Sequence, residues 1–119
     1  MSKKIYDIKE RTFRFAVRIV RLCQRLDEMP GVPRTLSHQL LKAGTSVGAN
    51  VEEAQAGQSR PDFISKNNIA LKEARESHYW LRLLIAAEIL PENDLADLRD
   101  EAEEIKLILG SIVATARRR

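Results

Sequence analysis

Aromatic side chains make up only 5% of these 119 residues, and cysteine occurs once, at Cys23. A lone cysteine cannot pair within the chain, which excludes a disulfide-stapled mini-protein and fits a reducing, cytoplasmic compartment. Glycine and proline are sparse, five and four residues, and serve as breakers between longer periodic blocks. Long apolar runs are missing too. The N-terminus reads MSKKIYDIKERTF without an apolar core, and the stretches Trp80 to Leu90 and Ile105 to Ala116 are interrupted by Arg82, Glu88 and Lys106. Neither a secretory signal nor a membrane span is expected. What remains is 44% apolar and 31% charged residues. A chain of this length can bury roughly two thirds of its unfolded surface in one ordinary core, so one domain is expected.

The few breakers divide the chain into four periodic blocks. Pro30, Gly31 and Pro33 make the first boundary, Gly57 to Pro61 the second and Pro91 the third, predicting helices at approximately 7–29, 34–57, 60–90 and 92–116. The fourth block repeats Leu95, Leu98, Ala102, Ile105, Leu109, Ile112 and Ala116 at alternating steps of three and four. The second follows Leu36, Leu40, Ala43, Val47, Asn50 and Ala54, the third Ile64, Leu71, Ala74, His78, Leu81 and Ile85. Strand alternation is nowhere evident, and Ser59 with Asp62 three residues on reads as the N-cap of the third helix. Short connections make neighbours antiparallel. The expected fold is all-α, an up-down-up-down four-helix bundle, with residues 117–119 as a mobile arginine tail.

The first helix has more apolar surface than one core uses. At about 100° per residue its apolar positions, among them Phe13, Phe15, Val17, Val20 and Leu22, cover an arc of about 220°, against little more than about 100° for an ordinary core stripe. Two explanations stand: deep embedding in its own domain, or a second apolar face for self-association.

Catalytic signatures fail on context. Gly44-Thr-Ser-Val-Gly48 matches a nucleophile elbow formally, but it lies inside a helical seam with no strand before it; its glycines, one turn apart, read instead as a place where another helix comes close. A metal site in a bundle needs inward carboxylates paired with histidines. His38 and His78 follow Thr35 and Arg75 by three residues, His38 reading as a surface residue and His78 as a packing one. No phosphate-binding glycine loop is present. No enzyme activity, metal or cofactor is expected. Asn50 falls where Leu or Val would pack, with Gln39, Ser46 and Glu53 along the neighbouring helix edge and Glu73 and Glu76 on the third helix. Asn50 with one or more of these groups reads as a satisfied internal network fixing helix register, with a ligand site as the alternative.

Charge placement carries the strongest signal. Residues 1–29 hold eight basic and four acidic side chains, and residues 91–119 five basic and seven acidic. Arg11, Arg14, Arg18, Arg21 and Arg25 fall within an arc of about 80° along about 21 Å of helix. Helical spacing pairs Asp7 with Arg11, Glu10 with Arg14 and Glu28 with Arg25, and leaves Arg18 and Arg21 without acidic neighbours. The stripe could track nucleic-acid phosphates with little sequence preference. The alternative is that it meets Asp94, Asp97, Glu101 and Glu104, which repeat at three, four and three residues in the last block, as a ladder within or between subunits. It could also be merely a solvated face.

Two segments resemble a known family. Gln39-Leu-Leu-Lys-Ala43-Gly-Thr-Ser46-Val47-Gly-Ala-Asn50-Val51-Glu-Glu53 is similar to the Gln-x-x-x-Ala-x-x-Ser-Ile-x-x-Asn-Ile-x-Glu pattern of bacterial proteins encoded within 23S rRNA intervening sequences. Phe63, with Ala70 through Leu81 including Glu73, is similar to a second block of that family. The resemblance spans roughly residues 10–116 and extends to the accessory variability proteins of diversity-generating retroelements; Ala54 departs from the Gly that many relatives carry there. It implies a four-helix bundle assembled as a ring of five, a homopentamer, with no known enzymatic activity. Relatives in retroelements are thought to use a basic surface to bind nucleic acid, RNA or DNA, and a reverse transcriptase. Gln39, Ser46, Asn50, Glu53 and Glu73 carry over as motif positions of structural character.

Overall fold

The computed structural model describes residues 3–57 and 59–119, with side chains from residue 8 onward. Four helices account for nearly all of it: α1 (Lys3–Asp27), α2 (Val32–Ala56), α3 (Arg60–Ala86) and α4 (Glu92–Arg117), with no strand among the described residues. Each stop or start has a local cause. Gly31 precedes α2 at φ 93°, a left-handed backbone that glycine adopts freely, and Pro33 occupies the first turn, where its missing N–H is no loss. Ser59 caps α3 by accepting from the Asp62 N–H at 3.2 Å.

α3 stops at Ala86, short of the Leu90 expected from its pattern, because residues 84–89 close a Schellman motif. The Ile89 N–H donates to the Leu84 carbonyl and the Glu88 N–H to the Ile85 carbonyl, both at 3.0 Å, with Glu88 left-handed at φ 58°. No glycine advertises the turn. At the other end of the chain α4 runs through Arg117, into the expected tail, and the Arg60 guanidinium donates to the Arg119 main-chain oxygen.

α1 packs on α2 and α4, and α3 packs on the same two, so α1 and α3 sit across the diagonal of a bundle 47 × 22 × 19 Å. Phe15, Ile19, Leu26, Leu40, Leu81, Leu84, Leu95, Ile105 and Leu109 are fully buried in its core. The expected seams hold for most of their length but shift at particular turns: Val51 takes the interior position expected of Asn50, Ser77 and Leu84 those of His78 and Ile85, and Val113 is buried beyond Ile112. At about 100° per residue Val51 points within about 20° of Leu40, whereas Asn50 lies about 80° away.

The α1–α2 seam is unusually tight because of two glycines. A Cβ on Gly44 would stand 2.7 Å from the Ile19 Cγ1, and one on Gly48 would stand 3.1 Å from the Thr12 carbonyl oxygen. The pentapeptide Gly44–Gly48 thus sits in mid-helix as a packing notch, and Ser46 Oγ donates to its own helix at the Lys42 carbonyl, 2.7 Å away.

Candidate nucleic-acid interface

α1 divides its wide apolar surface between two directions. Ile8, Phe15, Ile19, Leu22, Cys23 and Leu26 turn inward, whereas Phe13 is 60% and Val20 39% exposed, with Ala16 and Val17 half-buried beside them. The deep-embedding explanation therefore covers only half of the arc. Phe13 also lines an open cavity of about 690 Å³ with Lys9, Glu10, Arg14 and Glu52.

The arginine stripe divides as well. Arg11 reaches α4 and holds Glu101 with both ends of its fork, Nε donating to Oε2 at 3.0 Å and Nη2 to Oε1 at 2.6 Å, each side chain 23% exposed. Arg25 contacts Asp94 of α4 at 3.1 Å in place of the expected Glu28. Both contacts join the expected stripes in antiparallel order within one chain. Arg14 takes Glu10 at 2.6 Å, as its spacing predicts, on an exposed surface; the expected Asp7–Arg11 pair involves a side chain outside the described residues. Arg18 and Arg21 are exposed and make no ion pair with any described residue, and exposed Asp97 receives no described cation. These two arginines overlook the α1–α4 seam, the least extensive of the four helix pairings, at an open cleft of about 240 Å³ lined by Leu22, Leu95 and Leu98 and by Arg18, Arg21, Arg25 and Asp94. Guanidiniums at the rim of such a cleft can donate to phosphate or carboxylate oxygens in a planar fork.

Of the Asn50 set, the structure joins Asn50 to Ser46 and brings neither Gln39 nor Glu53 into the interior. Asn50 is half-buried and its Nδ2 donates to the Ser46 carbonyl one turn earlier at 2.8 Å; Gln39 and Glu53 are exposed. Among the described residues the buried polar side chains are Thr12, Ser37, Asn67 and Ser77. Thr12, Asn67 and Ser77 each donate to the carbonyl of their own preceding turn, at 2.8, 3.0 and 2.8 Å. Of these four, Ser37 is the one that ties two helices together, donating to the Cys23 carbonyl at 3.2 Å while the Cys23 thiol donates to the Ser37 carbonyl at 3.5 Å. Burial raises the Cys23 thiol above its ordinary pKa. Intrahelical bonding of Ser, Thr and Asn satisfies a buried group without specifying a partner helix.

Titratable groups on the far side are packing groups. His78 is half-buried beneath α4, 3.7 Å from Glu103, and desolvation lowers its pKa, the attraction of Glu103 opposing this. His38 is exposed. Glu73, half-buried, is raised first by desolvation and then by Glu76. Among the described residues no three His, Cys, Asp or Glu side chains come close enough to hold a metal ion, and no helix is long and apolar enough to cross a membrane. One surface escaped the sequence reading: Lys72, Arg75, Tyr79 and Arg82 at steps of three, four and three put three cations and an aromatic ring on the outer face of α3. The same spacing rule that found the α1 stripe would have found it.

Fold and surface together define a small all-helical protein with cationic outer faces. The family model of the 23S rRNA-intervening sequence proteins matches residues 4–111, and the chain belongs to that family. A crystal structure from Bacteroides thetaiotaomicron, described as a protein with unknown function from the S23 ribosomal protein family, superposes with a TM-score of 0.85 at 43% sequence identity, covering 93% of this chain and 98% of that one. No curated protein matches the chain.

Proposed function

We propose that this protein is a non-enzymatic, cytoplasmic helical bundle that self-associates and binds the phosphate backbone of RNA or DNA without sequence preference. The observation that carries this reading is the pair Arg18 and Arg21, exposed on α1 beside the cleft and without an ion-pair partner among the described residues. Charge at this density acts through counterion release, which needs no base contact. Self-association rests on exposed Phe13 and Val20, an apolar strip beside the arginines that a second copy could cover; the family resemblance favours a closed ring of five. A ring would array the arginine pairs and multiply weak contacts.

A second reading follows from the Arg11–Glu101 and Arg25–Asp94 contacts, where the stripe holds α1 to α4. On this reading the bundle is a scaffold, for a reverse transcriptase as the retroelement resemblance suggests, and its charges serve assembly. Fluorescence anisotropy with mixed-sequence RNA and DNA separates the two. Nucleic-acid binding predicts that Arg18→Glu/Arg21→Glu abolishes duplex binding while light scattering shows the oligomer unchanged. Loss of the oligomer in that variant, with no binding by the wild type at low salt, supports the scaffold.

A further inference from the structure

The outer face of α3 carries Lys72, Arg75, Tyr79 and Arg82 over about 15 Å of helix, all exposed and none of the three cations in an ion pair with a described residue. Tyr79, 48% exposed, is held rather than loose: its ring meets that of Trp80 edge-on, centroids 5.1 Å apart at 73°. Trp80 is anchored in turn, its Nε1 donating to Glu76 Oε2 at 3.2 Å, so this carboxylate is turned toward the indole. The Arg82 guanidinium lies 5.8 Å from the Tyr79 centroid, near the outer limit of a cation–π contact and loose enough to follow a phosphate.

We infer that this face is a binding surface for single-stranded nucleic acid, with a base stacked on Tyr79 and the backbone passing the Lys72, Arg75 and Arg82 cations. An exposed aromatic ring interleaved with cations suits a strand whose bases are free to stack; a duplex hides its base faces and offers only phosphates. An acidic protein partner would use the cations but not the ring. Since α1 and α3 lie on the diagonal, this surface and the α1 arginines face different sides of the bundle. The inference rests on the reading that the protein binds nucleic acid, and it names the strand form that binds at α3.

Anisotropy titrations with a labelled mixed-sequence single-stranded RNA and with a duplex of the same sequence test it. Tyr79→Ala is expected to weaken single-strand binding about five- to a hundred-fold, the range of one lost base–aromatic stack, and to leave duplex binding within about twofold. Tyr79→Phe should retain wild-type binding. Single-strand binding by the wild type should also quench Trp80 fluorescence, and the surface variant Lys72→Glu/Arg75→Glu should weaken binding with helical content unchanged. Equal single-strand affinity for Tyr79→Ala and wild type, or an equal loss on duplex, overturns the α3 surface. The proposed function survives that result where Arg18→Glu/Arg21→Glu still abolishes duplex binding, whereas absence of all binding by the wild type at low salt overturns both.

Discussion

Gly44 of α2 receives the side chain of Ile19 of α1: an added Cβ would come within 2.7 Å of Cγ1, 2.8 Å of Cγ2 and 3.1 Å of the Ile19 Cβ itself. Ile19 is completely buried, so its branched side chain has no free direction in which to yield. Gly44→Ala gains about 1 kcal/mol of helix propensity but overpacks the seam, a penalty of about 1–3 kcal/mol. The net expectation is destabilisation. Gly110, on α4, has nothing within 4 Å of the place an added methyl would take, so Gly110→Ala should stabilise by up to about 1 kcal/mol. Urea unfolding of the two variants checks the contrast.

Glu88 occupies, at φ 58°, the position that glycine usually fills in a Schellman motif. A left-handed backbone costs a non-glycine residue about 1 kcal/mol or more, and Glu88 is exposed. Glu88→Gly is therefore expected to raise the thermal midpoint, and an unchanged or lower midpoint would contradict the strain.

The two α1–α4 ion pairs among the described residues should differ in strength. Arg11 grips Glu101 through two hydrogen bonds at a half-buried position, whereas Arg25 and Asp94 share one contact with side chains 54% and 37% exposed. A double-mutant cycle to alanine is expected to give a coupling of about 1 kcal/mol for the first pair and under about 0.5 kcal/mol for the second. Similar couplings would show that the forked geometry adds nothing.

His78 makes stability depend on pH. Its folded pKa is lowered from 6.5 by desolvation, with Arg82, Lys106 and Arg99 adding to the shift and Glu103 opposing it. The unfolded state then binds the proton more readily, so the contribution is fully present above about pH 6.5 and is lost as pH falls toward the folded value. Between pH 7.5 and 5.5 the wild type should lose stability that His78→Gln does not. Glu103, lowered chiefly by the Lys106 hydrogen bond, changes in the same direction but below 4.5, outside this window. Parallel curves for the two proteins would remove His78 as the cause.

The number and order of helices were legible because Pro30, Gly31, Pro33, Ser59, Pro61 and Pro91 coincide with real boundaries. The end of α3 was not, since Glu88 adopts a glycine-like backbone that its identity does not announce. Asn50 was misplaced inward because an a/d template gives a narrow seam, while α2 packs on two neighbours and buries a wider stripe that includes Gly44, Gly48 and Val51. The arginine stripe was visible as a stripe, but which arginines reach α4 depends on the helix–helix offset, which sequence spacing does not contain. Arg18 and Arg21 emerged from spacing and geometry alike.

The salt dependence of nucleic-acid binding tests the central claim most directly. With Arg18 and Arg21 each neutralising one phosphate, a plot of log affinity against log salt on duplex DNA should fall with a slope of about −1.8 per protomer engaged, at about −0.9 for each contact. Arg18→Glu/Arg21→Glu should leave no measurable duplex binding. A wild type that binds neither RNA nor DNA at low salt, or a slope near zero that the double variant leaves unaltered, would contradict the account.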